Sequence, residues 1–247
     1  MFPILQIGPL AIQVPGLLLL AGLWIGLSLS ERLLLEGKQR MMQPQDISNI
    51  ALLSLAAGAI GARLGYALRF PSAFSLNPVD LISLSPALLD PWFGLLAGFI
   101  AATAYSQRKR LPARLLLDVF TPLMATLTAA LFLGNLASGN DYGLPTNLPW
   151  AINLFGALRH PAQIYDFVLA LLALALLWVR RPDYLLGDGK LFLTFLAITS
   201  ASRLLLDAFH ASSPTVLDGW RVIQIVAWVA LAISLILLRQ TIKSTNT

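Results

Sequence analysis

Ionisable residues inside strongly apolar stretches of this chain are the first indication of chemistry. Arg63 lies in the sequence Gly-Ala-Arg-Leu-Gly-Tyr, and Arg203 precedes Asp207 by four residues in another apolar stretch. A charged side chain at membrane depth is costly and usually serves a ligand or a partner. Arg203 and Asp207 share a helix face and can pair, while a guanidinium at that depth also suits a phosphodiester. Arg63 fits two interpretations, an arginine that snorkels to the interface or a cation lining a lipid-headgroup cavity.

The run from Arg159 to Asp166 has the densest polar chemistry. It reads Arg-His-Pro-Ala-Gln-Ile-Tyr-Asp, and Pro161 suits a helix start. A cation, an imidazole, an amide, a phenol and a carboxylate therefore fall within two helical turns. This density predicts a polar cavity, to which Arg159, His160, Gln163 and Tyr165 contribute.

The stretch Leu131 to Gly143 predicts the end of an apolar helix and a small polar loop. Asn135 and Asp141 offer hydrogen-bonding groups, and Gly134 and Gly143 allow close backbone approach. Such a loop at a membrane face is where a polar ligand would be met. Elsewhere, Asp118 begins an apolar stretch, where the helix dipole favours a carboxylate.

Several other chemistries lack the residues they need. The chain has no cysteine, so it offers no disulfide framework, thiolate metal site or cysteine nucleophile. Its two histidines, His160 and His210, lie in different segments without metal-ligand spacing, and we expect no metal and no cofactor. The net charge of +5 comes from basic residues confined to particular loops, which does not indicate nucleic-acid binding.

The composition determines which elements carry these residues. Of 247 residues 57% are hydrophobic and 12% are charged, and the mean hydropathy is +0.75. Apolar runs along the whole length predict an all-α, polytopic membrane protein with a single integral-membrane domain, residues 1–247. The seven predicted transmembrane helices run from about Pro15 to Ser30, Ile47 to Leu68, Ala87 to Tyr105, Leu115 to Asn135, Ala162 to Val179, Lys190 to Phe209 and Trp220 to Leu238.

The basic residues predict the orientation of these helices. They concentrate in alternate connections and in the tail, which the positive-inside rule assigns to the cytoplasm. The N-terminus is then outside and the C-terminus cytoplasmic. The four clusters are Arg32, Lys38 and Arg40; Arg108, Lys109, Arg110 and Arg114; Arg180, Arg181 and Lys190; and Arg239 with Lys243.

Taken in order, these motifs resemble those of the bacterial prolipoprotein diacylglyceryl transferase family, over essentially the whole chain. The most specific elements are the run Arg159 to Asp166 and the Gly134-Asn135 loop. The others are Ile7-Gly8-Pro9, Gly61 to Tyr66, Asp118 with Pro122, Gly139, Gly143, and Arg203 with Asp207.

The resemblance implies a function and a set of site residues. The family transfers a diacylglyceryl group from phosphatidylglycerol to the thiol of the lipobox cysteine of a preprolipoprotein, and glycerol 1-phosphate leaves. This implies a multi-pass protein of the bacterial inner (cell) membrane. Arg203 would anchor the phosphate, and Asp207 would orient Arg203. The other implied phospholipid-binding residues are Arg63, Asn135 and Arg159, and the implied supporting residues are Gly134, Gly143, Gln163 and Tyr165.

The chain also departs from the family pattern at charged positions. Phe132 stands in place of an arginine, Asn140 in place of a glutamate, and Trp92 in place of a histidine favoured as the base. The stand-ins for a catalytic base are Asp90, Asp141 and His160. One alternative is therefore a catalytically silent member that binds phospholipid or lipoprotein precursor. A small-solute transporter is a further alternative, which needs charged groups spaced along a path through several helices.

Overall fold

The computed structural model describes residues 4–7, 10–37, 41–72, 88–211, 215–216 and 220–245. Within these ranges the chain forms seven helices of at least 17 residues. The helices are α1 (Val14–Glu36), α2 (Pro44–Arg69), α3 (Pro91–Arg108), α4 (Ala113–Ser138), α5 (Ala162–Arg180), α6 (Lys190–Leu206) and α7 (Val222–Thr245). Gly8 and Pro9 of the first motif lie outside the described residues.

The helices agree with the predicted spans to within a few residues at most ends. Six of them have the length and apolar composition to cross a membrane, which confirms a multi-pass helical membrane protein. The helix α3 is not among the six, so a seventh crossing stays a prediction, as does the orientation of the termini. The helix α4 continues to Ser138, so Asn135 lies in its last turn and not in the polar loop.

The described chain divides into two compact units. One consists of residues 1–38 and 114–247, and the other of residues 39–113. In the larger unit, α1 packs closely on α4 at two glycines. A Cβ atom on Gly22 would lie 2.6 Å from the Cβ atom of Ala130, and one on Gly26 would meet Thr126 and Leu123. Small residues at this crossing let the two backbones approach, which is a principal source of helix association in membranes.

Asp118 joins two helices of the larger unit. It is fully buried in α4, and its carboxylate accepts hydrogen bonds from the backbone N–H groups of Gly187, Gly189 and Phe192, at 3.0, 2.8 and 3.1 Å. These donors surround the start of α6, whose own N-cap, Gly189, has no side chain to offer. Asp118 thus caps a neighbouring helix, whereas the sequence indicated a role at the start of its own.

The smaller unit consists of α2 and α3 packed over a glycine-rich face. A Cβ atom on Gly61 would collide with the Cβ atom of Ala97, and one on Gly65 would collide with the ring of Phe93. Asp46 at the start of α2 accepts a hydrogen bond from the Tyr105 hydroxyl at 2.9 Å. Small residues and this bond hold the antiparallel pair together.

Three antiparallel hairpins complete the described fold. They are β1 (Ile4–Ile7) with β2 (Leu10–Gln13), β3 (Ile152–Leu154) with β4 (Ala157–Arg159), and β5 (Thr215–Val216) with β6 (Trp220–Arg221). The all-α class therefore holds for the membrane helices, with small hairpins added in the connections. The β3–β4 hairpin leads directly into α5, so it fixes the chain entering the polar run at Arg159 to Asp166.

Candidate active site

Four charged side chains from three parts of the larger unit meet in one cluster. Arg203 of α6 lies 3.3 Å from the Asp166 carboxylate of α5 and 3.7 Å from that of Asp141. His210 lies 2.9 Å from Asp166 and 3.6 Å from Asp141 through its Nε2 atom. Asp166 and His210 are buried, whereas the side chains of Arg203 and Asp141 are each 25% exposed. The cluster thus has a buried floor and two accessible members of opposite charge.

Backbone hydrogen bonds on two sides hold the segment that carries Asp141. On one side, Leu144 N–H donates to the Phe209 carbonyl at 2.8 Å, and Ala211 N–H donates to the Tyr142 carbonyl at 3.0 Å. On the other side, His160 N–H donates to the Leu144 carbonyl at 2.9 Å. The segment after α4 is therefore fixed between the end of α6 and the start of α5.

Asp141 itself has a left-handed backbone, with a φ of 55°. Such a conformation costs a non-glycine residue free energy and recurs at functional sites. Here it directs the carboxylate towards Arg203 and His210.

Both ring nitrogens of His210 face oxygen atoms that accept hydrogen bonds, one of a backbone carbonyl and one of a carboxylate. Nδ1 lies 3.0 Å from the Leu206 carbonyl oxygen, and Nε2 lies 2.9 Å from the Asp166 carboxylate. Burial favours the neutral ring, but the hydrogen bond and charge of Asp166, together with the charge of Asp141, outweigh it and raise the pKa of His210 above its ordinary value.

Asp207 accepts hydrogen bonds from Arg221 at the edge of this cluster. Its side chain is fully buried, and Arg221 donates to both its backbone carbonyl and its carboxylate. Arg221 also donates to the His210 carbonyl at 3.4 Å. Asp207 thus helps to hold the chain after α6, and its role in orienting Arg203 stays a prediction.

The polar run at the start of α5 contacts the same loop. Gln163 is buried, and its amide donates to the Asn140 carbonyl at 2.9 Å. Arg159 lies 4.8 Å from the ring centre of Tyr142 and donates to the Gly143 carbonyl at 3.4 Å. The start of α5 and the loop after α4 are therefore in direct contact.

Aromatic rings surround the remaining members of the run. The ring of His160 lies 5.1 Å from that of Phe209 and 6.2 Å from that of Tyr165, and its Nδ1 atom is buried without a hydrogen-bond partner. The Tyr165 hydroxyl accepts a hydrogen bond from the exposed Trp150 indole at 2.8 Å. This places an amphipathic aromatic pair where α5 begins, as is common at membrane interfaces.

The end of α4 supplies an apolar wall beside the cluster. The guanidinium of Arg203 lies 5.8 Å from the ring centre of Phe132. Gly134 is buried against α1, where a Cβ atom would lie 3.3 Å from that of Pro15. Asn135 is half-buried one residue later in the same helix. The wall therefore presents an aromatic ring to the guanidinium of Arg203, a contact that stabilises the cation.

Asp141, Asp166 and His210 have ligand atoms within 4.8 Å of one another, a spacing that could hold a cation. Arg203 already supplies a positive charge beside both carboxylates. Nε2 of His210 lies 2.9 Å from the Asp166 carboxylate itself, and Nδ1 lies against the Leu206 carbonyl oxygen. We therefore interpret the group as an ion-pair cluster.

Two predicted site residues belong to the smaller unit. Arg63 is 7% exposed and donates to the Leu88 carbonyl at 2.9 Å. Asp90 caps α3 through the N–H groups of Trp92 and Phe93, and it forms an ion pair with Arg69 at 2.6 Å. These contacts give Asp90 a structural role within its unit, and a catalytic role for it remains only a prediction.

His210 is not among the site residues that the sequence predicts. A signal was available, because Arg203, Asp207 and His210 are spaced i, i+4 and i+7, which places all three on one helical face.

Comparison with known proteins identifies the family. A family model described as prolipoprotein diacylglyceryl transferase matches residues 3–239. The chain belongs to this family. The resemblance noted from the sequence motifs is thereby confirmed, and the chain is a transferase of lipoprotein biosynthesis.

Individual relatives support the same assignment. Each is named phosphatidylglycerol–prolipoprotein diacylglyceryl transferase. The relative from Bordetella parapertussis is 33% identical over 181 residues, which cover 70% of this chain and 69% of the relative. That from a Nostoc species is 28% identical over 247 residues, covering 94% and 86% of the two chains. That from Corynebacterium diphtheriae is 25% identical over 252 residues, covering 93% and 88%.

Proposed function

We propose that this protein transfers the diacylglyceryl group of phosphatidylglycerol to the lipobox cysteine of a preprolipoprotein, and that Arg203 binds the phosphate. The observation that carries the proposal is a partly exposed guanidinium on a buried floor of ion pairs. The names of the relatives supply the two substrates. We propose Asn135 and Arg159 as further phospholipid-binding residues. Gly134, Gly143, Gln163 and Tyr165 are the proposed supporting residues of the loop and the helix start. Phospholipid binding by Arg63, which belongs to the smaller unit, stays a separate prediction.

The reaction concentrates charge where Arg203 can stabilise it. The cysteine sulfur attacks the terminal carbon of the diacylglyceryl group, so a C–S bond forms and the C–O bond to phosphate breaks. The phosphodiester enters with one negative charge, and the leaving glycerol phosphate gains a second as that bond breaks. Removing by mutation a donor that is fixed at the position of developing charge lowers the rate about 100- to 1000-fold.

We assign acceptance of the thiol proton to Asp141. Its carboxylate is accessible and lies 3.7 Å from Arg203, beside the position assigned to the phosphate. His160, whose Nδ1 has no partner, is the alternative acceptor. The two acceptors differ in the pH dependence of the chemical step. With a carboxylate acceptor the rate reaches its maximum already at acidic pH, whereas with an imidazole acceptor the rate still rises near neutral pH.

The site lies on the external side of the bacterial inner membrane in this proposal, with seven crossings, the N-terminus outside and the C-terminus cytoplasmic. Asp166, near the start of α5, is separated from Arg180 by 14 residues, or roughly 21 Å along the helix. The ion pair between Arg181 and Glu36 is therefore at the opposite end from the cluster. The positive-inside rule assigns that basic end to the cytoplasm.

The test is a reconstituted assay with phosphatidylglycerol and a lipobox peptide. Glycerol phosphate release and thioether formation are measured for the wild type, Asp141→Asn and His160→Gln. Loss of glycerol phosphate release in Asp141→Asn supports Asp141 as the proton acceptor. Loss of release in His160→Gln alone would assign that role to His160. Phosphatidylglycerol binding without any release would instead make the chain a silent family member.

A further inference from the structure

His210 is the most buried charged group of the cluster, and its protonation follows from geometry. A neutral imidazole has one N–H donor and one acceptor nitrogen. The Leu206 carbonyl oxygen and the Asp166 carboxylate, at 3.0 and 2.9 Å, are both acceptors. A neutral ring would place a nitrogen lone pair against one of these oxygens, and the buried ring has no access to water that could separate them. An imidazolium instead donates a hydrogen bond to both oxygens.

We propose that His210 is a positioning residue that works as an imidazolium, and that its charge keeps Asp141 and Asp166 from neutralising Arg203. This inference rests on the proposed role of Arg203 as the phosphate anchor. Arg203 and His210 provide two positive charges, and the two aspartates provide two negative charges. Loss of the His210 proton leaves the cluster with a net charge of −1. Arg203 is then the one positive charge in the cluster that balances the two carboxylates.

The other charged groups around His210 leave this balance unchanged. Asp207 precedes it in the same turn, and Arg221, from the strand before α7, donates to both Asp207 and the His210 carbonyl. Because Asp207 and Arg221 carry opposite charges, their contributions to the electrostatic potential at the His210 ring cancel to first order. Asp166 from α5, Asp141 from the loop after α4 and Arg203 from α6 then determine the potential at the ring.

The proposal gives phosphatidylglycerol binding a definite pH dependence. Binding is strongest while His210 is protonated, and it weakens as the pH rises through the His210 midpoint, which lies above the ordinary value of 6.5. The phosphodiester remains a monoanion across this range, so the change belongs to the protein. A unit charge a few ångströms from the phosphate in a partly polar site changes affinity on the order of tenfold.

The first measurement is the protonation state itself. The chain has two histidines, so His160→Gln leaves His210 as the only one when the protein carries no histidine tag. Nitrogen NMR of ¹⁵N-histidine-labelled protein in nanodiscs should show two protonated ring nitrogens at pH 6.5. A ring with a single N–H at that pH would overturn the proposal, without the need for any variant of His210.

The second measurement is anisotropy of a fluorescent phosphatidylglycerol bound to the protein in detergent, from pH 5.5 to 9, with a phosphatidylcholine analogue as the zwitterionic control. The wild type should lose about tenfold in affinity across the midpoint. His210→Gln should bind weakly at all pH values, with a flat profile. A variant profile that matches the wild type would overturn the proposal.

Arg203→Ala separates this inference from the proposed function. Affinity lost in Arg203→Ala, together with an unchanged profile in His210→Gln, would leave the phosphate anchor standing and remove the role of His210. Full affinity in Arg203→Ala would overturn the anchor itself, even if the NMR shows an imidazolium.

Discussion

Replacing Asp118 by alanine removes the cap of α6, and the contacts of Asp118 indicate how much the free energy of unfolding should fall. The Asp118 carboxylate accepts from three backbone N–H groups at 2.8 to 3.1 Å, and the residue has no exposed surface. Interhelical hydrogen bonds in membrane proteins average about 0.6 kcal/mol each, so three bonds give a lower limit of about 2 kcal/mol. Buried donors left without acceptors raise the cost towards about 5 kcal/mol.

The assay is reversible unfolding in mixed micelles titrated with a denaturing detergent. Asp118→Asn keeps one acceptor oxygen and should lose less than Asp118→Ala. Thr121→Val is the matched control, because Thr121 is equally buried one turn away, and its hydroxyl bonds only to the Leu117 carbonyl of its own helix. An unfolding free energy of Asp118→Ala within about 0.5 kcal/mol of this control would refute the capping role.

Two glycines should separate loss of activity from loss of fold. A Cβ atom on Gly143 would collide with the backbone carbonyl of His160, so Gly143→Ala should reduce transfer at least tenfold by displacing the Asp141 segment, and near-normal activity would contradict this. A larger side chain on Gly61 would force α2 away from Ala97 of α3, so Gly61→Val should lower the thermal unfolding midpoint. Gly16→Ala, where nothing lies within 4 Å, should change neither quantity.

The helices were predictable from the sequence because they depend on local composition. The expected end of the fourth span differs from the helix α4 by three residues, since Leu136 and Ala137 continue the helix beyond Asn135. The run at the start of α5 was also recognisable, because its polar residues are close in sequence. Strands of two to four residues have too little periodicity to be distinguished from loops.

The partners within the site depend on contacts between distant segments. Asp141 and Arg203 are 62 residues apart, and no local pattern pairs them. The i, i+4 spacing favoured Asp207 as the partner of Arg203, but the recorded ion pairs of Arg203 are with Asp141 and Asp166. Spacing along a helix indicates which side chains share a face, whereas the neighbouring segments determine which charge each one meets.

The most direct test of the central claim is the rate of diacylglyceryl transfer by Arg203→Ala and Arg203→Lys in proteoliposomes containing phosphatidylglycerol. Arg181→Ala is the control, since it removes the same residue type from an ion pair with Glu36. Binding of the phosphate by a guanidinium predicts a loss of about 100-fold or more in Arg203→Ala, partial activity in Arg203→Lys and an unchanged rate in the control. A rate for Arg203→Ala equal to that of Arg181→Ala would contradict the account.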